Sequence, residues 1–395
     1  MTAPRHLYIH VPFCRAKCDY CDFSSEEVNG RLWPGLADRF VTALLAEWEM
    51  ERQAHDVRRL RTVYLGGGTP SLLGPARLQS ILTAISPHLT AAAEVSVEAN
   101  PEDVDGAFAD WAADQGVRVS LGVQSFSAHT RAVLGRRAFA DPWQAFWRLQ
   151  AAGVANVGID LIYGVPGQTA EAVEAELAAL AQAQPDHVSW YELELVAGTP
   201  LAVRWPATDC RWPDADARAS VYRRIVRGLE RLGLRWYEVS NFARPGRRCR
   251  HNVAVWDGEE YLGLGPGAVG TVGGRRVRNL PGVQVYISAL AAGGPPARQV
   301  EALAAAERQR ERLYLAARTG RAVPLVQLGE VLEPGAMEAL AGAGFVRVTG
   351  GTLRVTRKGR YLADEVCLRL FRASRVEGTT WLPGRASPSS PCDGC

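Results

Sequence analysis

Six times within about 200 residues a short apolar run is followed by a stretch of helical periodicity. The runs fall at 7–11, 62–65, 94–101, 117–124, 156–164 and 187–194. Helices are predicted at 36–55, 78–89, 103–115, as a short pair around 134–137, and at 170–183 and 214–232. Such alternation requires parallel strands covered by helices. A doubly wound sheet and a (β/α) barrel both satisfy it. Where the polar residues fall separates them. Each run ends in polar or glycine-rich residues, with Glu98, Gln124 and Asp160 at or near three of those ends. Polar groups at the C-terminal ends of successive strands favour the barrel. An acid buried without a partner costs several kcal/mol, so Glu98 and Asp160 each need a reason. Taken singly, a turn cap or a satisfied buried network would supply one.

The first strand leads directly into Cys14, Cys18 and Cys21, a C-x3-C-x2-C spacing. Three soft ligands on one loop are a metal site. A [4Fe–4S] cube normally takes four thiolates, so three leave one iron open to an outside chelator. Structural zinc needs four closed ligands, and His10 is the available fourth. At the end of the second strand stand Gly66-Gly67-Gly68-Thr69-Pro70. Glycines there let backbone approach a ligand or present amides to an anion, although a tight turn explains them equally well.

Composition excludes several classes. The net charge of +3 is too small to argue for nucleic acid. No run of 18 apolar residues or N-terminal leader pattern is present. Eight cysteines in 395 residues are not a disulfide scaffold, and a reducing cytoplasm suits the trio. Beyond the sixth strand, 236–243 reads as one strand, and a basic turn at 244–250 carries Cys249 ahead of His251. A glycine-rich run occupies 261–268. From about residue 300 a charged helix at 303–317, shorter helices at 325–332 and 337–343, a hairpin at 345–356 and a helix at 359–371 suggest a winged-helix-like module. A structural or docking role suits it better than DNA binding. The expected division is 1–240 barrel, 241–299 extension, 300–382 helical and winged module, and 383–395 disordered tail. That tail ends in Cys392 and Cys395, which are expected to form no cluster site.

The cysteine stretch resembles the radical S-adenosylmethionine (SAM) signature. A longer series resembles the oxygen-independent coproporphyrinogen III oxidases and their relatives. It runs through Tyr8 to Cys14, Gly66 to Pro70, Glu98 to Pro101, Ser120 to Phe126, Leu134 to Arg136, Asp160 to Gly164, Tyr237 to Phe242, His251-Asn252 and Gly263 to Gly267. The resemblance implies an α/β fold, a partial (β/α)6 barrel of the radical SAM type with a C-terminal helical domain. It also implies that Cys14, Cys18 and Cys21 hold the cluster, with Tyr8 and Tyr20 beside cluster and SAM. Gly67, Gly68 and Thr69 would then line the methionine end, and Glu98, Gln124, Arg136 and Asp160 would contact SAM. True oxidases carry a further cysteine two positions after the third and a longer N-terminal arm. Here Phe23 occupies that position, and thirteen residues precede Cys14. The pattern Cys21-Asp22-Phe23 resembles instead the radical SAM haem chaperone branch. That branch implies haem as cargo and apo-haem proteins of the respiratory chain as partners. A peripheral membrane contact and a homodimer are compatible with that role. The family's His-Asn-x-x-Tyr-Trp run survives as His251 to Trp256 with Val255 for Tyr, and Ala138 replaces a His. His251 is the haem-ligand candidate, with Cys210 and Cys249 behind it; a histidine hydrogen-bonded in a buried turn is the plainer reading. The alternative function is a radical SAM enzyme acting on a porphyrin or another substrate, and a non-catalytic interaction protein is a third.

Overall fold

The computed structural model describes residues 3–29, 31–136, 140–329 and 331–371. Six parallel strands form its centre: β1 (His6–Val11), β2 (Leu60–Gly67), β3 (Leu89–Ala99), β4 (Arg118–Gln124), β5 (Val157–Tyr163) and β6 (His187–Glu192). They lie in the sheet in chain order. A doubly wound sheet would reverse direction at a switch point; consecutive neighbours all the way across are the barrel pattern expected from the alternation. Their inward and outward faces are largely apolar and buried, as strands covered on both sides must be.

Helices return the chain between strands. The longest, α1 (Pro34–Ala54), begins with Pro34 in its first turn, where the missing N–H costs nothing. Phe40, Leu44 and Trp48 form its buried stripe, as the periodicity predicts. Next come α2 (Pro75–Ile85), α3 (Gly106–Asp114), α4 (Pro142–Ala151) and α5 (Ala170–Ala183), with α6 (Ala215–Arg231) after β6. Several starts are capped by side chains. Asp105 accepts from the Phe108 N–H, Thr169 from Ala172 and Asp214 from Ala217.

The strand expected over 236–243 is two strands. β7 (Arg235–Glu238) turns at Val239–Ser240 into β8 (Asn241–Ala243), which runs antiparallel to both β7 and β6. The turn contains no glycine. The carboxylate of Glu238 holds it by accepting from the Ser240 N–H at 2.9 Å and the Asn241 Nδ2 at 2.7 Å. The glycine-rich run begins as β9 (Tyr261–Leu264), a seventh parallel strand on the outer edge of β1. An antiparallel extension follows: β10 (Val269–Val272), β11 (Arg275–Asn279) and β12 (Arg298–Ala302). Fully buried Glu47 of α1 fastens this extension to the barrel. It accepts from the Gly265 N–H, Asn279 Nδ2, Tyr286 O–H and Arg298 Nη2.

A second core lies past residue 300, around Leu313, Leu328, Leu353 and Leu370. The charged helix Ala305–Thr319 and the hairpin β14 (Val346–Thr349) and β15 (Thr352–Val355) are present. The helix expected at 325–332 is only a 3-10 turn at Leu325–Gln327, preceded by a third strand, β13 (Ala322–Pro324), on β15. The final helix is broken into Arg357–Arg360 and Ala363–Leu370. The tail with Cys392 and Cys395, and Ala138, lie outside the described residues. No helix among the described residues is long and apolar enough to cross a membrane.

Candidate functional site

The cysteine loop leaves β1 at Val11 and is clamped at three places. Its start pairs with 26–27 in a two-residue parallel ladder. Arg15 Nε donates to Asp103 Oδ1 at 2.6 Å, and Ser71 Oγ donates to the other oxygen of that carboxylate at 2.9 Å. Asp19 forms an ion pair with Arg204 at 2.8 Å, and its N–H donates to the Leu134 carbonyl. Gly135 has φ +67, and a Cβ there would overlap the Asp19 carboxyl. Only glycine satisfies both conditions, so the Leu134-Gly135-Arg136 element is the seat of the cysteine loop.

Around the thiols stand three residues named from the resemblance. Thr69 Oγ1 lies 3.8 Å from Cys14 Sγ, and Arg136 Nη1 lies 3.9 Å from Cys18 Sγ. The Tyr20 hydroxyl also bonds Cys18. Burial first, then Cys18 and Cys14, pushes the Cys21 thiol up to about 11, against the Phe23 backbone and Lys17. Burial also raises Cys18, against the pull of Arg136. That mutual repulsion places the three thiols near one another on the loop. Thiolates there require positive charge, and buried Arg136 supplies part of it. Burial disfavours the Arg136 charge, but Cys18, Tyr20 and Glu102 together keep it protonated.

The zinc alternative loses its fourth ligand. His10 Nδ1 bonds the Tyr8 hydroxyl at 3.0 Å, and Nε2 bonds the Ser24 carbonyl at 2.7 Å. Among the described residues no three His, Cys, Asp or Glu side chains converge closely enough to hold one metal ion. Three soft donors on one loop beside an arginine, with no fourth ligand among the described residues, suit an iron–sulfur cluster better than a closed tetrahedral ion.

The strand ends bring the remaining candidates to the same mouth. Glu98 Oε1 accepts from the Tyr64 hydroxyl at 2.7 Å, and Oε2 accepts from the Gly67 N–H at 3.1 Å. Burial first, then nearby Asp160, lifts Glu98 to about 7 against Tyr64, Gly67 and Arg118. Asp160 is raised by burial, while Ser189, Arg118 and Ser120 hold it down. The Ser120 hydroxyl donates to it at 2.9 Å. Gln124 sits at φ +65 beyond an irregularity in the β4–β5 ladder. A non-glycine residue there costs about 1–3 kcal/mol. Glu176 of α5 sustains it from behind, accepting from the Ser125 hydroxyl and from the Phe126 N–H at 2.9 Å. Arg136 Nη2 donates to Asn100 Oδ1 at 2.9 Å. The triple glycine serves first as packing. A Cβ on Gly67 would meet the His10 ring at 2.5 Å, and one on Gly68 would meet the Phe13 carbonyl at 2.6 Å.

His251 is elsewhere. It opens the helix Arg250–Trp256, whose first N–H groups Glu94 accepts. Its Nδ1 bonds Thr62 Oγ1 at 2.8 Å, and its ring lies against Tyr64 at 5.3 Å and His6 at 6.4 Å. Thr62 precedes Gly67 by five residues, roughly 17 Å of strand. His251 is therefore at the N-terminal end of the barrel, away from the cysteines. Burial pushes it down to about 3, so it is a neutral, hydrogen-bonded core histidine in this conformation. Cys249 is fully buried and Cys210 exposed; neither joins the trio.

The sequence profile of the Radical SAM superfamily matches residues 8–180. The heme chaperone HemW of Mycobacterium tuberculosis H37Rv is 40% identical over 376 residues, 93% of this chain and 95% of its own. The chain belongs to the HemW heme chaperone family. HemW of Bacillus subtilis is 30% identical, covering 92% of this chain and 98% of its own. Among solved structures, the Escherichia coli coproporphyrinogen III oxidase HemN, described as a radical SAM enzyme, superposes with TM-score 0.79 at 23% identity over 93% of this chain and 90% of its own. That likeness establishes the shared fold of a partial barrel with C-terminal helical elements.

Within this HemW-family site, Phe23 is 60% exposed at the rim of the cysteine loop. Sequence reasoning missed three supports: Asn100 beneath Arg136, Glu176 behind Gln124, and buried Arg118 between the two carboxylates and the base of the barrel. An arginine in a strand otherwise built of Val, Ser, Leu, Gly and Gln was the signal for Arg118. Burial opposes its charge, but Cys249, Tyr64, Tyr237 and Glu94 hold it.

Proposed function

We propose that this protein is a haem chaperone that carries haem to apo-haem proteins. Cys14, Cys18 and Cys21 would hold a [4Fe–4S] cluster at its barrel mouth, beside residues that would bind SAM. When bound, that pair supplies one-electron reduction of the SAM sulfonium. Arg136 balances the thiolates, and Thr69 and Tyr20 hydrogen-bond them. Glu98 and Asp160 offer acceptors for an ammonium group and ribose hydroxyls. Gln124, aimed by its bulged turn, offers a further amide.

The observation that carries the reading is kinship along nearly the whole chain with proteins named heme chaperones. Exposed Phe23 supports it, because no thiol stands there beside the cluster loop. Incubated anaerobically with haem, the cluster-loaded protein should give a Soret change that saturates near one equivalent. It should then pass haem to an apo-acceptor. The same preparation with coproporphyrinogen III, SAM and reductant should give no protoporphyrinogen IX. Catalytic formation of that product would overturn the proposal.

A further inference from the structure

A cavity of about 440 Å³ lies between the N-terminal end of the barrel and the C-terminal module. One wall is aromatic, from Trp236, Tyr237 and Trp256, with the last two rings 5.9 Å apart. The other is cationic: Arg248, Arg321, Arg354 and Arg360 all line it. Against these four guanidinium groups stands one lining carboxylate, Asp257, already paired with Arg321. Arg354 Nε is occupied by the Gly320 carbonyl at 2.7 Å. Arg360 lies 3.9 Å over the Trp236 ring, and its Nε and Nη2 are buried with no hydrogen-bond partner. A buried N–H without a partner costs roughly 1–3 kcal/mol, more for a charged group. Nε and Nη2 have no surface open to the cleft, so Nη1 is the Arg360 nitrogen left to meet an acceptor there.

The acceptor's chemistry follows from the walls. Guanidinium groups match carboxylates and phosphates, and the aromatic wall suits a flat ring. The volume is too small to enclose a tetrapyrrole but sufficient for one edge of it. We propose that this cleft takes the propionate-bearing edge of the haem cargo, with the carboxylates on Arg360 and Arg248 and the ring against the partly exposed Trp256. This rests on the haem-chaperone reading. It places the cargo at the opposite end of the barrel from the cysteines. Trp256 and Val253, which line the cleft, stand on the same short helix that turns His251 inward.

The test compares haem with its dimethyl ester, which keeps the ring and iron but lacks both carboxylates. Both are titrated into the cluster-loaded protein, following the Soret band and tryptophan quenching. Wild-type protein should bind haem at least tenfold more tightly than the ester. Arg360→Gln should lose that preference by weakening haem alone, and Arg360→Lys should retain part of it. Arg223→Gln, on the exposed face of α6, should change neither. Iron content and melting temperature report whether each variant is folded. If wild type binds haem and ester equally and Arg360→Gln changes nothing, the cleft assignment is overturned while the chaperone reading stands. If neither ligand saturates wild type, the chaperone reading itself fails. If inorganic phosphate or ATP quenches the tryptophans in an Arg360-dependent way and haem does not, the cleft is a phosphate site and the propionate assignment is wrong.

Discussion

Replacing Glu98 with glutamine should make the apoprotein more stable at high pH and leave it nearly unchanged at low pH. Glu98 rises from 4.5 to about 7 because it is buried and close to Asp160. A carboxyl raised on folding stabilises the native state below its unfolded value, and that contribution is lost as pH climbs through the folded value. Keeping Glu98 charged at pH 8 therefore costs the fold about 3 kcal/mol, from 1.36 kcal/mol per pH interval. At pH 5 the cost is under about 1 kcal/mol by the same relation. The introduced amide carries no charge. Its oxygen can accept from either the Tyr64 hydroxyl or the Gly67 N–H, but its NH2 would face the other donor, a loss of about 1 kcal/mol. The variant should thus be near neutral at pH 5 and about 2 kcal/mol more stable at pH 8. Urea unfolding of the apo form at both pH values measures the difference. A ΔΔG that stays flat between them would refute the burial argument for Glu98. With SAM present the trend should reverse, because a cationic ligand favours the ionised carboxylate. Calorimetry at pH 6 in buffers of different ionisation enthalpy should detect proton release on SAM binding.

Three further outcomes follow from the geometry. Alanine at Cys14, Cys18 or Cys21 should abolish the cluster, read as iron and acid-labile sulfide with Mössbauer spectra; tightly bound zinc without sulfide in the wild type would reject the cluster. Asp160→Asn should weaken SAM binding about tenfold, the loss of one charge-assisted contact, while leaving iron content unchanged, since Asp160 bonds Ser120 rather than any cysteine; unchanged affinity by calorimetry would remove it from the site. Arg318→Leu should strand the fully buried Glu238, which Arg318 meets at 2.7 Å, costing roughly 3–5 kcal/mol; a ΔΔG below about 1 kcal/mol in urea unfolding would show that the pair does not join the two cores.

The barrel was legible because parallel strands buried on both faces leave unbroken apolar runs, and chain order did the rest. The cysteine trio, Glu98, Gln124 and Asp160 stood out as candidates because each breaks a local pattern, whereas Arg136 came from the resemblance alone. What the sequence hid is pairing that no local pattern encodes. The turn at Val239–Ser240 is fixed by the Glu238 carboxylate rather than by glycine or proline. The strands β10 and β11 did carry a hairpin signal in Gly273-Gly274, but arginines masked the alternation of β11. Glu47 is buried inside α1, and its partners Gly265, Asn279, Tyr286 and Arg298 lie more than 200 residues away in sequence. His251 misled for a related reason. Its neighbours in sequence are basic and polar, whereas its neighbours in space are Thr62, Tyr64 and Tyr8, on strands from the first quarter of the chain.

The two ends of the barrel have a consequence for how cluster and cargo communicate. Strand β2 is eight residues long, so mouth and base are separated by roughly 25 Å. The interior between them holds a column of packed groups. Tyr8 stacks on Tyr64 at 6.3 Å, Tyr64 bonds Glu98, and Tyr64 lies against His251. This column is a direct packed route by which SAM at the mouth would be coupled to haem at the base. The shared element is Tyr64, whose hydroxyl donates to the same carboxylate proposed to receive SAM. Tyr64→Phe removes that donor while keeping the ring packing. If the column couples the ends, SAM should change the haem affinity of wild type, and Tyr64→Phe should abolish the change without altering haem affinity in the absence of SAM. If SAM still shifts haem binding to the same degree in the variant, the two sites communicate by another route.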